Sequence, residues 1–289
     1  MRSNLTGKSV VITGASSGIG FAAAAKFVQL GAFVIGVGRS ETRNMRAKQS
    51  IIDNHAEAQI EFLLSDLAEQ QNVKVLGSAI TSVLAKHHFE HLDLLINNAG
   101  VYLETKQHNQ DGIEKTFEVN HLAAFVLTYQ LLPPLRQSPN GRVITVSSYA
   151  HRKIPINVNR ISNPWPYIGL LAYKRSKLCN ILFTKELNRR CPEIDAFAVD
   201  PGLVNTGIGS KGNPGISDFV WRRRRQKGAH PDVPVETLLL LAEDEHIDPA
   251  TGDYYRDCQV QKPSRNARRE DLARELWELS CQLTGINWT

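Results

Sequence analysis

Short apolar runs rich in β-branched residues recur along the chain at 10–13, 33–37, 60–64, 92–96, 142–146 and 196–199. Each is continuous rather than alternating, which suits a strand buried on both faces. Between them, residues 19–30, 41–55, 73–86, 112–132 and 172–190 are patterned as helices. Strand–helix alternation of this kind demands right-handed crossovers, and crossovers place helices on both faces of a mostly parallel sheet. The expectation is an α/β chain with one doubly wound domain over 1–289 and a sheet of about seven strands. Two stretches break the rhythm. Residues 151–167 are rich in Pro and Asn and read as an excursion between a strand and a helix, while 205–234 read as a substrate-side loop or lid. A strand at 253–255 and an amphipathic helix at 269–283 close the chain.

Composition narrows the class. The chain has 289 residues, 42% hydrophobic and 22% charged, with a formal net charge of +5. That charge suits an anionic small molecule and is too small to argue for nucleic acid. No stretch approaches a membrane span or a signal-peptide core, so a cytoplasmic, soluble protein is expected. Cys179, Cys191, Cys258 and Cys281 are scattered, which points to free thiols rather than disulfides or zinc. His87, His88 and His91 cluster near a helix end without completing a ligand set, and no metal is expected.

The junction of the first strand and first helix carries Thr13-Gly14-Ala15-Ser16-Ser17-Gly18-Ile19-Gly20. Gly14 permits the tight turn, Gly18 lets backbone approach a pyrophosphate, and Gly20 allows close helix packing. In that strand–turn–helix context the run is a Rossmann-type dinucleotide motif. After the second strand, where an acid would hold the ribose 2′-hydroxyl of NAD(H), the chain has Gly38-Arg39-Ser40. Arg39 can pair with a 2′-phosphate and Ser40 can add a hydrogen bond, so NADP(H) is expected in preference to NAD(H).

Tyr173 and Lys177 have the i,i+4 spacing that puts two side chains on one helical face. A cation beside a phenol favours phenolate and equips it for proton transfer near neutral pH. Tyr102…Lys106 and Tyr149…Lys153 share the spacing. The second runs into Ile154-Pro155, where helix is disfavoured, and the first lies in a polar stretch. Only Tyr173…Lys177 continues into a helix-patterned run.

With the glycine run, Asn97-Asn98-Ala99-Gly100 and Tyr173…Lys177 in order, the chain resembles the short-chain dehydrogenase/reductases over nearly its whole length. The resemblance implies Asp66 and Leu67 at the adenine, Asn98, Ala99 and Gly100 beside the cofactor, and Asn120 holding a water for proton relay. It implies Ser148 as the catalytic serine. Pro201, Gly202, Val204 and Thr206 match the turn at the nicotinamide. Ser16, Ser17 and Ile19 fall within the cofactor-binding run, and Tyr173 and Lys177 also reach the cofactor. Gly252-Asp253-Tyr254-Tyr255-Arg256-Asp257-Cys258 and Leu276-Trp277-Glu278-Leu279-Ser280 resemble the retinol dehydrogenase-type branch.

The activity implied is NADP(H)-dependent interconversion of a carbonyl and an alcohol. Ser148 would polarise the carbonyl, Tyr173 act as general acid or base, and Lys177 lower the phenol's pKa. A catalytically idle NADP(H)-binding sensor or scaffold and a C=C reductase stay open beside it. The substrate is expected to be an apolar small molecule, with Trp165 and Tyr167 either lining its pocket or packing ordinarily. Helical faces near 112–132 and 172–190 suit pairing into a homo-oligomer. The basic run Trp221-Arg222-Arg223-Arg224-Arg225-Gln226-Lys227 reads as a solvated face, with an acidic substrate or anionic membrane as the alternatives.

Overall fold

The computed structural model describes residues 4–204, 228–250 and 252–288. Its strands are β1 (Ser9–Thr13), β2 (Phe33–Gly38), β3 (Ile60–Leu64), β4 (Leu94–Asn97), β5 (Arg142–Val146), β6 (Asp195–Val199), β7 (Tyr254–Arg256) and β8 (Gln259–Val260). They form one eight-stranded sheet in the order β3-β2-β1-β4-β5-β6-β7-β8. All pairings are parallel except β7 with β8. The extra strand beyond the expected seven comes from a hairpin whose two turn residues, Asp257 and Cys258, have φ of 50° and 60°. Two successive left-handed residues make the tight turn that matches strand twist.

The described helices are α1 (Gly18–Gln29), α2 (Glu41–Asn54), α3 (Gln70–Lys86), α4 (Lys115–Phe117), α5 (Ala123–Gln137), α6 (Gly169–Arg190), α7 (Val233–Glu243) and α8 (Glu270–Thr284). Side chains of a strand alternate between faces. Val10 and Ile12 of β1 therefore enter the core under α1 and α7, while Val11 enters the one under α3, α5 and α6. The strands are apolar throughout because both faces are covered.

The single helix expected at 112–132 is divided. Gly112 turns with φ 76°, and Asn109 Oδ1 accepts from the N–H groups of Asp111 and Ile113 at 3.1 and 2.8 Å. Glu114 then caps α4, accepting from Thr116 and Phe117 N–H at 2.9 Å each. A π-helical turn, Glu118–Leu122, joins α4 to α5, and such turns recur at functional sites. The expected end at residue 132 also moves, because Pro133 and Pro134 sit inside α5 rather than after it. The fourth strand begins at Leu94 rather than 92, since the Leu92 N–H already donates to the Pro134 carbonyl.

Most of the stretch expected as a loop, 205–227, lies outside the described residues, as does Thr206. Its two flanks meet: Val204 bridges Ala229, whose N–H donates to the Leu203 carbonyl at 2.8 Å. Residues 233–234 belong to α7.

Candidate active site

Strand order reverses between β1 and β4, and the crevice at their carboxyl ends is where doubly wound sheets bind ligands. Thr13 closes β1 and ties the two strand ends together. Its Oγ1 accepts from the N–H groups of Asn98 and Ala99 at 3.0 Å each, and its carbonyl accepts from Asn98 Nδ2 at 2.8 Å. A cavity of about 660 Å³ opens over this junction.

One end is built of backbone. Gly14 and Gly18 have φ of 70° and 58°, a region that disfavours side chains. A Cβ on Gly20 would lie 2.4 Å from the Gly14 carbonyl oxygen, so only glycine lets α1 start so close to the turn. The Ser17 side chain caps nothing in α1, which leaves the first N–H groups of that helix to face an anion. Ser16, Ser17, Ile19, Asp66, Leu67, Asn98, Ala99 and Gly100 line this part of the cavity. Gly20 stands behind the wall. Ser40 is also off it, because it serves as the first residue of the α2 entry rather than facing the cavity.

Arg39 is exposed at the end of β2, and Arg43 lies one helical turn further on with its Nε buried and unpartnered among the described residues. An orphaned guanidinium nitrogen beside an exposed arginine is a pair of cationic forks suited to a phosphate. The donor set fits a phosphorylated dinucleotide. Arg43 was absent from the sequence reading, although its i,i+4 spacing from Arg39 was a usable signal.

The other end is built of buried side chains. Tyr173 and Lys177 are 8% and 2% exposed on one face of α6. The Lys177 ammonium lies 5.8 Å from the Tyr173 ring centroid and donates to the Val146 carbonyl at 2.9 Å. Asn180 Nδ2 donates to the same carbonyl at 3.0 Å, and Ser147 Oγ to the Lys177 carbonyl at 2.7 Å. These bonds pin α6 to the end of β5, which carries Ser148 into the cavity beside Tyr173. His151 holds Ser148 from behind: its ring Nδ1 donates to the Ser148 carbonyl at 2.7 Å, and its Nε2 accepts from Ser264 N–H at 3.1 Å. Burial keeps His151 below the usual histidine range, consistent with a neutral ring in that pairing.

Burial also acts on the central pair, against the simple expectation for it. It pushes the Tyr173 hydroxyl up to about 12, with the hydrogen bond to Ser148 pulling back and the Asp200 charge adding to the rise. It pulls the Lys177 ammonium down to about 8. The phenol is thus held protonated at neutral pH rather than eased toward phenolate, because loss of water outweighs the Ser148 hydrogen bond.

Asn120 lies in the π-helical turn and does not reach the cavity wall. Its Oδ1 accepts from Val101 N–H at 2.7 Å, and its Nδ2 donates to the Val101 carbonyl at 3.0 Å and Ser176 Oγ at 2.9 Å. Its side chain therefore braces the strand-end loop against α6, and any water held there would have to meet its backbone.

Asp200 was missed by sequence reading. It is 2% exposed and shapes the Pro201-Gly202 turn, accepting from Gly202 N–H at 3.0 Å and Tyr254 Oη at 3.3 Å. Arg256 sits 3.7 Å from it and lines the cavity with Pro201, Gly202, Leu203 and Val204. Trp165 and Tyr167 do not line it. Trp165 is 79% exposed, and the Tyr167 hydroxyl donates to the Leu103 carbonyl at 2.9 Å and Glu114 Oε1 at 3.2 Å. The rival pairs fail as well: Lys153 has φ 53°, and Tyr102 and Lys106 lie outside any helix.

A family model described as short chain dehydrogenase matches residues 8–216. Retinol dehydrogenase 12 of Mus musculus is 34% identical over 98% of this chain and 88% of its own length. The WW domain-containing oxidoreductase of Gallus gallus is 34% identical over 97% of this chain and 69% of its own. Among solved structures, an uncharacterized protein from Mycobacterium paratuberculosis superposes with TM-score 0.74 at 30% identity, covering 99% of this chain and 97% of that one. A short chain dehydrogenase of Shigella flexneri complexed with NADP shares the fold at TM-score 0.65 and 23% identity, over 85% of this chain and 95% of that one.

Proposed function

The chain belongs to the short-chain dehydrogenases, an oxidoreductase family, and from that premise we propose that it interconverts a carbonyl and an alcohol with NADP(H). One observation carries the reading: Ser148, Tyr173 and Lys177 line the same cavity as the glycine turn, Arg39 and Arg43. The reaction is carbonyl plus NADPH plus a proton giving alcohol plus NADP⁺, and the bound nicotinamide supplies the hydride to the carbonyl carbon.

Glycine-turn amides and Ser16–Ile19 would hold the pyrophosphate, and Arg39 with Arg43 the 2′-phosphate. Ser148 donates to the substrate oxygen as negative charge develops there. Tyr173, protonated at neutral pH, delivers the proton to that oxygen. Lys177 keeps one donor on the Val146 carbonyl, which leaves its other two for the cofactor ribose and the phenol. Among the described residues no helix is long and apolar enough to cross a membrane.

The test is NADPH consumption by purified protein against retinal, aliphatic aldehydes, steroids and quinones. Tyr173→Phe is expected to lower kcat by about 10²–10⁴-fold on the best of them. Wild-type turnover by that variant would overturn the assignment of Tyr173. Tight NADPH binding with no turnover on any carbonyl would favour the idle sensor instead.

A further inference from the structure

The charges on the cavity wall are unbalanced. Among the described residues, Arg39, Arg43, Lys174, Lys177 and Arg256 line it against one acid, Asp66. Four of the five cations have an occupation. Arg39 and Arg43 stand at the phosphate end, and Lys177 is held on Val146 beside Tyr173. Arg256 faces Asp200 at 3.7 Å and Asp257 at 3.1 Å.

Lys174 is different. It directly follows Tyr173, is half-buried, and its side chain has no hydrogen bond or ion pair to any described residue. A lysine tethered to the reacting end of a cavity with no counter-charge is a ready partner for an anion. The walls around it are apolar and uncovered: Tyr149, Leu170 and Leu203 are 59%, 46% and 47% exposed while lining the same cavity.

We propose that the substrate is amphiphilic, an apolar body bearing a carboxylate, and that Lys174 is the residue that selects the carboxylate. The inference rests on the carbonyl–alcohol reading and specifies its substrate class. An apolar wall by itself accepts a neutral carbonyl equally well. A partly desolvated ammonium adds affinity only for the charged one.

A matched pair of probes tests this: a medium-chain ω-oxo carboxylic acid and its methyl ester, which share the aldehyde and the apolar body. The readout is the ratio of kcat/KM for acid over ester, followed by NADPH consumption. Wild type is expected to favour the acid by about ten- to hundredfold, through KM, with the preference shrinking at high salt. Lys174→Met should bring the ratio to about one, and Lys174→Arg should retain most of it. Thermal melts establish that each variant is folded. Equal turnover of both probes by wild type, or an unchanged ratio in Lys174→Met, overturns the inference while leaving the oxidoreductase reading intact. Turnover of neither probe, nor of any carbonyl in the wider panel, overturns both.

Discussion

The two ends of the cavity solve the problem of binding charge in opposite ways. At the proposed phosphate end, recognition would come from backbone and surface: positive-φ glycines, the uncapped start of α1, and Arg39 in contact with water. Apart from the buried Arg43 Nε, the charged groups there keep their contact with water, so little at that end has to be desolvated. At the candidate catalytic end, Lys177 is 2% exposed and Tyr173 8%, and burial brings the Lys177 titration down toward neutral pH while it carries that of Tyr173 further from it. Here function and stability are opposed, because a buried ammonium is costly until a ligand completes its surroundings.

Lys177→Met should break that contrast most visibly. The thioether chain has similar length, and Asn180 still donates to the Val146 carbonyl. Turnover is expected to fall by about 10²-fold or more while stability rises by about 1–3 kcal/mol in chemical denaturation. The pH dependence supplies a second signature. With the folded-state value lowered from 10.5 to about 8, the unfolded state binds the extra proton between those pH values. Wild-type stability should therefore rise with pH from about 8 to 10.5, and the variant should lack that rise. Loss of both activity and stability would mean that the ammonium is a net structural asset.

The phosphate end should respond without such a trade. Arg39→Ala combined with Arg43→Ala is expected to raise the KM for NADPH by about 10–100-fold and to leave NADH little affected. Stability should stay within about 0.5 kcal/mol, since Arg39 is exposed and Arg43 Nε has no described partner to lose. Parallel losses with both cofactors would remove the 2′-phosphate assignment.

The smallest effect separates burial from catalysis. Glu118 is fully buried two residues before Asn120 and off the cavity wall, with Oε2 accepting from Gln70 and Asn109 at 3.3 and 3.4 Å. Burial raises its carboxyl from 4.5 to about 8, the Gln70 hydrogen bond opposing. A raised value means that its stabilising contribution is complete below pH 4.5 and is lost as pH rises through about 8. Thermal melts of wild type should fall over that window, and those of Glu118→Gln should be flatter, with kcat changed less than about threefold. A flat wild-type profile would show that Glu118 is already solvated.

Much of this was readable in the chain. The alternation of apolar runs and helical segments implied the parallel sheet, and the glycine run identified the turn over which the cavity opens. Tyr173 was separable from Tyr102 and Tyr149 because helix context is local, and a proline after Lys153 excludes one rival by backbone geometry alone. What escaped depended on contacts between segments far apart in sequence. Asp200 gains its meaning from Tyr254 and Arg256, residues of another strand. Composition left Trp165 and Tyr167 open between a pocket and ordinary packing, and the fold keeps both off the cavity wall. The π-helical turn and the commitment of Asn120 to Val101 left no mark in the residue pattern.

The sequence by itself determined the fold class, the glycine turn after the first strand and the choice of Tyr173–Lys177 as the candidate pair, because each rests on backbone preferences and short spacings that need no partner. Tertiary structure decided how those groups are charged. Whether Tyr173 is held as phenol or phenolate depends on how much water packing removes around it. It also decided which cations are spent: Arg256 reaches Asp200 as well as its neighbour Asp257 because β7 brings it there, while Lys174 forms no ion pair with a described carboxylate.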